Sequence, residues 1–176
     1  MFIKSKKIDH TALDALVNAG VNRHLAKFYS ARGIKHIDDA TLLIEKIIPP
    51  EALTNNTLMA SILADAILQK HKILIIGDYD TDGATSTAVG VRALKMMGAE
   101  VDYLVPNRFE FGYGLTPEIV DLAKEKNPKI IITVDNGIAS VEGVNQANQY
   151  GIDVLVTDHH LPGETLPHAK CIVNPN

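Results

Sequence analysis

The sequence has one cysteine, Cys171, in 176 residues. A lone thiol excludes an internal disulfide framework and any zinc site built from thiolates alone. Residues 1–20 carry charges throughout and lack the apolar core of a signal peptide. The longest apolar runs are far too short to span a bilayer. No strong excess of one charge exists either. Lys plus Arg number 17 and Asp plus Glu 21, a net charge of -4. That balance argues against a small, strongly basic nucleic-acid binder, although a local basic patch survives a negative total. No internal repeat or low-complexity tract is evident, and no Gly-Lys-Ser/Thr follows a glycine loop, which excludes a Walker phosphate loop. Apolar residues at 46% and charged residues at 22% exclude wholesale disorder, collagen and coiled coil. The expectation is a reduced, soluble, cytoplasmic protein with a substantial core.

Two halves differ in pattern. Residues 1–70 read as a helical region. Leu13, Leu16 and Val17 fall on one face, and Leu25, Phe28 and Tyr29 repeat it after a break near Gly20. Gly33 reads as a helix C-cap. Leu42, Leu43, Lys46 and Ile47 predict a short helix, stopped at Pro49-Pro50. Asn56 is placed as the cap of a longer one bearing Leu58, Ile62, Leu63, Ala66 and Ile67. From Lys72 onward strand and helix alternate. Strands are expected at Ile73–Ile76, Val101–Val105, Ile130–Val134 and Val154–Val156. Helices are expected at Ala84–Met97, after Thr116-Pro117, and from Ser140 to near Gly151. That alternation predicts an α/β fold with a doubly wound, mainly parallel sheet behind a small helical N-terminal region.

In open α/β sheets, sites form beyond the carboxyl ends of the strands. Those ends carry Asp78, Asp80 and Asp82 after the first strand, Asp135 after the third, and Asp158-His159-His160 after the fourth. Carboxylates gathered so closely repel unless a cation neutralises them. Carboxylate with imidazole suits Mn²⁺, Fe²⁺ or Zn²⁺, and an oxygen-rich set leans to Mn²⁺ or Mg²⁺. Two metals sharing a bridging carboxylate activate water and clamp a phosphate. Singly, a strand-end Asp is usually a cap or turn former, and a His pair is usually surface decoration. Three such features on three strand ends are far less easily explained that way.

Rival readings of the Asp-rich loop fail. An EF-hand loop would need a bidentate Glu where Val89 stands, and it follows a helix rather than a strand. A haloacid-dehalogenase phosphatase puts its nucleophile directly after the apolar run and leaves Asp158-His159-His160 unexplained. A receiver module needs a strand-end Lys and has no use for paired histidines. Separately, Arg108, Phe109, Phe111 and Tyr113 lie in one loop after the second strand, in a chain with nine Phe and Tyr in all. A cation among aromatics suits phosphate contact and base stacking, which makes Arg108, Phe109 and Tyr113 candidates for binding a nucleic-acid strand. The competing reading is burial of the rings against the sheet.

Asp158-His159-His160 resembles the triplet that names the DHH phosphoesterase superfamily. Gly77-Asp78-Tyr79-Asp80-Thr81-Asp82-Gly83-Ala84-Thr85-Ser86 is similar to the first motif of its RecJ branch, the bacterial single-strand-specific exonucleases. Thr133-Val134-Asp135-Asn136-Gly137 resembles the second motif. Pro106 to Leu115 and Val173 to Asn176 are similar as well. The likeness covers roughly Lys72 to Asn176, so a DHH domain is expected over 71–176.

The resemblance implies Asp80 and Asp82 as ligands of two metals, Asp135 as the bridging ligand and His159 as the imidazole ligand. Where the wider superfamily has a His four residues before Asp80, Ile76 stands here, and Asp78 is taken as an additional ligand. His160 is expected beside the scissile phosphate, as a contact or proton donor, and Asp158 behind a histidine, orienting it. Two Mn²⁺ ions, or Mg²⁺, are the implied cofactors. The implied reaction is phosphodiester hydrolysis from the 5′ end of single-stranded DNA, in repair and recombination in the bacterial cytoplasm. Implied partners are the DNA strand, a single-strand-binding protein and a recombination helicase, without a membrane. A further metal-binding Asp, a second catalytic-side domain and an oligonucleotide-binding fold belong to the family but not to this sequence. The chain is therefore expected to be an N-terminal fragment with a truncated DHH domain and little activity alone. Two alternatives remain: a DHH enzyme acting on short oligonucleotides or cyclic dinucleotides, and a non-catalytic DHH scaffold, which would be expected to lose its ligands.

Overall fold

A computed structural model describes residues 5–41 and 43–176. The chain forms two compact units, residues 1–48 and 49–176. In the first, α1 (His10–Asn18) starts at Asp9, whose carboxylate accepts the Ala12 N–H, and α2 (Arg23–Ser30) starts at Asn22, which accepts the His24 N–H. These are ordinary side-chain caps, each satisfying a backbone donor the helix cannot. Leu13, Leu16 and Ala26 form the unit's core, with Val17, Tyr29 and Ile34 against it. The expected α2 face is thus only partly right: Leu25 and Phe28 lie on the solvent side, and Ala26 and Ser30 are buried. α3 (Ile37–Ala40) and a 3-10 turn at Ile44–Lys46 follow. Leu42, part of the expected short helix, lies outside the described residues.

The second unit begins before residue 70, where the sequence pattern changes. α4 (Asn56–Leu68) belongs to it, because Met59 and Ala66 are buried with the sheet residues Ile73, Ile130 and Cys171. Asn55 rather than Asn56 precedes the helix, and its side-chain amide donates to the Ile172 carbonyl, 3.0 Å away. Leu58 faces solvent. Met59, Ile62, Leu63, Ala66 and Ile67 make the inward stripe at helical spacing.

The sheet has five parallel strands in the order β2-β1-β3-β4-β5: β1 (Ile73–Ile76), β2 (Val101–Leu104), β3 (Ile130–Val134), β4 (Asp153–Thr157) and β5 (Cys171–Val173). The edge strand β5 was not among the four expected. Leu74, Ile76, Ile131, Val154 and Val156 point to one face, beneath α7 (Pro117–Glu125) and α8 (Val141–Gln149). Ile73, Ile75, Ile130, Ile132 and Leu155 point to the other, beneath α4 and α5 (Thr81–Met96). Burial on both faces accounts for the continuous apolar strands. Each such side chain contributes roughly 1.5–3 kcal/mol of transfer free energy. Gly143 of α8 lets the helix close on the segment before α7, since a Cβ there would lie 1.9 Å from the Leu115 carbonyl oxygen. Among the described residues, no helix is long and apolar enough to cross a membrane.

Because β2 lies on one side of β1 and β3 on the other, the connections leaving β1 and β3 run to opposite faces. The carboxyl ends of β1 and β3 therefore flank a crevice, the topological switch point of a doubly wound sheet.

Candidate metal and phosphate centre

The carboxyl ends of β1, β3 and β4 each present carboxylates. After β1, Asp80 caps α5, its carboxylate accepting the Gly83 N–H at 3.0 Å. Gly83 is required there, because a Cβ would come within 2.6 Å of the Asp78 backbone. After β3, Asp135 adopts a left-handed conformation with φ 62°. After β4, Asp158 is buried and fully engaged. One carboxylate oxygen accepts the Ile138 N–H at 2.9 Å, and the other accepts the His159 and His160 N–H groups at 2.7 and 3.1 Å.

Those bonds fix the histidines. His160 Nδ1 lies 2.7 Å from the Asp158 oxygen that takes both backbone donors. A carboxylate can only accept, so Nδ1 carries the proton and Nε2 is left for chemistry. His159 Nε2 lies 2.8 Å from an Asp135 oxygen. One ligand atom each from Asp135, His159 and His160 falls within 4.8 Å of the others. A cleft of about 310 Å³ brings Asp82 and Ser86 to the same place, beside Asp135 and His159.

Acidity follows this geometry. Burial raises the Asp135 carboxyl above its ordinary value, and the neighbouring Asp80 charge adds to the rise, against the His159 bond. Asp80 is lowered, chiefly by the Gly83 N–H. Burial works to raise Asp158, but the bonds from Ile138, His160 and His159 together hold it below the usual carboxylate range. The Asp158 bond raises His160.

Asp78, expected as an additional ligand, lies against Arg108. It is buried, one oxygen accepts the Tyr79 N–H at 2.7 Å, and the other pairs with the Arg108 guanidinium. Both oxygens thus meet protein donors, and Asp78, like Asp80 and Asp82, is not one of the three groups whose donor atoms converge. The Arg108 guanidinium lies over the rings of Tyr79 and Tyr113, 4.8 and 4.7 Å from their centroids, and 4.0 Å from an Asp80 oxygen.

The expected loop is a one-turn helix, α6 (Arg108–Phe111), capped by Asn107. Its aromatics divide. Phe111 packs on the core, and Phe109 is 92% exposed. The Tyr113 hydroxyl donates to the Asp135 carbonyl at 3.0 Å and lies 3.2 Å from His160 Nδ1. Burial and the Asp158, Asp135 and Asp78 charges push that phenol up to about 12, so it stays protonated.

Sequence reasoning assigned no role to Tyr79, the second ring under Arg108, or to Asn136. The buried Asn136 amide donates to the Val134 and Ile76 carbonyls and ties the two strand ends together. Asn174 and Asn176 donate to the backbone carbonyls of His160 and His159. Their place in the Val173–Asn176 motif was the only signal available.

The family model for the DHH family, N-terminal domain, matches residues 72–176. The single-stranded-DNA-specific exonuclease RecJ of Escherichia coli is 43% identical over 175 residues, 99% of this chain and 30% of that protein. The RecJ of Dickeya dadantii is 48% identical over 153 residues, 86% of this chain and 27% of that protein. The chain thus spans less than a third of the length of these relatives. A crystal structure of exonuclease RecJ bound to manganese superposes with a TM-score of 0.67 at 37% identity, over 73% of this chain and 33% of that one. Thermus thermophilus RecJ in complex with Mn²⁺ gives 0.65 at 29% identity, over 94% of this chain and 23% of that one. A family model matched over residues 72–176, which hold all five strands, makes this chain a member of the DHH family.

Proposed function

We propose that the protein carrying these residues is a divalent-metal-dependent phosphodiesterase that removes nucleotides from the 5′ end of single-stranded DNA. The observation that carries this reading is the convergence of Asp135, His159 and His160 donor atoms within 4.8 Å at the carboxyl ends of β3 and β4. Carboxylate and imidazole donors, with Asp82 alongside in the same cleft, are a set that fits Mn²⁺. The relatives named for single-stranded DNA, and the structural neighbours bound to manganese, support the same choice of substrate and ion. Asp80, Asp82, Asp135 and His159 are the proposed ligands. Bound there, a divalent cation lowers the pKa of water and offsets charge on the phosphoryl oxygens.

The chain's own residues do the rest. Asp158 orients His160 and stabilises its charged form, so that Nε2 can contact a phosphate or pass a proton to the leaving oxygen. Arg108, held by Asp78 between two rings, keeps guanidinium N–H groups for a phosphate oxygen. Tyr113 braces the Asp135 loop. Phe109, with its ring in solvent, is a candidate base-stacking residue. Single-strand-binding protein and a recombination helicase are proposed partners in a bacterial cytoplasm, testable by co-purification.

Strands labelled at the 5′ or 3′ end, incubated with the full-length protein and Mn²⁺, test the reading. Progressive loss of 5′ nucleotides is expected. Release from the 3′ end alone would contradict it.

A further inference from the structure

The charge of the chain is unevenly distributed. Residues 1–48, the first unit, contain eight Lys or Arg and five Asp or Glu, a net of +3, while the remaining 128 residues contain nine Lys or Arg and sixteen Asp or Glu. The first unit is therefore basic in a protein that is acidic overall.

Lys6, Lys27 and Arg32 share one groove. In α2, His24, Lys27, Phe28 and Ala31 recur at i, i+3, i+4 and i+7, one stripe of the helix, opposite the buried Ala26 and Ser30. With Lys6, Ile8 and Arg32 they line a groove of about 400 Å³, the size range of small-ligand clefts. Among the described residues, no acidic side chain lines it. Phe28 stands 61% exposed among these cations. Arg32 donates to the Phe28 carbonyl, which keeps guanidinium and ring on neighbouring turns.

A solvent-facing ring costs hydration free energy that the core did not recover. Cations around it deter an apolar protein partner and attract an anion. A ligand that answers both features has regularly spaced negative charges and flat faces that stack. A single nucleic-acid strand has both.

We propose that the α2 groove of the N-terminal unit is a second single-stranded-DNA contact, with Lys6, Lys27 and Arg32 on phosphates and Phe28 stacked on a base. The choice of DNA as the strand rests on the function proposed above. The groove itself has no part in hydrolysis. It adds affinity for the strand without adding ligands or catalytic groups.

The test is anisotropy of a labelled thymidine homopolymer with the full chain, in EDTA so that the strand is neither cut nor held through a cation. Titrations at several salt concentrations compare the parent, Lys27→Glu/Arg32→Glu and Phe28→Ala. Removing two phosphate contacts should lower the slope of log K against log salt by roughly 1.4, at about 0.7 per contact. The double variant should bind at least tenfold more weakly at low salt, on the order of one tenfold step per 1.4 kcal/mol. Phe28→Ala removes an exposed ring, so it tests the site even if the charge variant is poorly folded. It should weaken binding about fivefold or more with an unchanged slope. Unchanged affinity in both folded variants would overturn the proposal. Duplex DNA or a polyglutamate peptide bound as tightly as the homopolymer would overturn it as well, assigning the groove to polyanions in general. Asp82→Asn separates the two readings: it should abolish hydrolysis by the full-length protein in Mn²⁺ and leave the Phe28 effect on binding in EDTA intact.

Discussion

Asp158 uses its two oxygens on three backbone donors and one imidazole, so its charge is both buried and satisfied. Its pKa is lowered and that of His160 is raised, which sets opposite pH limits on the pair. A carboxylate depressed on folding stabilises above its ordinary value of 3.8, and that stability fades as pH falls through the lowered value. A histidine raised on folding stabilises below its ordinary 6.5, and that stability fades as pH rises through the raised value. The pair should thus contribute fully between about pH 4 and 6.5. Asp158→Asn should flatten the dependence of the urea midpoint across that window, and the His160 ring signals should titrate at lower pH by NMR. An unshifted His160 would contradict the pairing. Asp135→Ala in the full-length protein should cost several orders of magnitude in kcat, on the order of the losses seen when a group acting in the transition state is removed. The five Asp and two His were legible because their residue types are costly together at strand ends. The pairing of Asp78 with Arg108 was not, because the chain segment between them is 29 residues long and only the packed fold brings them together.

At the scale of elements, close approach decides more than propensity. Gly143→Ala would drive a Cβ into the Leu115 carbonyl, and Gly163→Ala would meet nothing nearer than 3.9 Å. The first should lose about 1–3 kcal/mol, as overpacking does, and several degrees of Tm. The second should melt with the parent. Cys171 begins β5, with a thiol 3.7 Å from the Asn55 carbonyl and a pKa raised by burial. Alkylation at neutral pH should be slow in the native chain and fast in denaturant; equal rates would show β5 detached. Strands β1, β3 and β4 were readable as apolar runs, since burial on both faces leaves no polar positions. The three-residue β5 carries too little pattern to be read alone. It exists because its backbone pairs with β4 and its flank is tied to Asn55. The α2 face was misjudged for a related reason. A small Ala26 fills the narrow gap to α1, and the larger Leu25 and Phe28 do not.

For the molecule as a whole, the sheet order puts three motifs from residues 77–83, 135–137 and 158–160 on one edge. The net charge is positive over residues 1–48 and negative in the unit that holds the strand-end carboxylates. An overall charge of -4 therefore says little about attraction to a polyanion. The central claim is that these strand ends hold divalent cations for phosphodiester hydrolysis. Calorimetric titration of Mn²⁺ into the chain and into Asp135→Ala tests it most directly. Saturable binding by the parent, lost in a variant that still melts cooperatively, is the predicted result. Equal affinity and stoichiometry in the two proteins would contradict it.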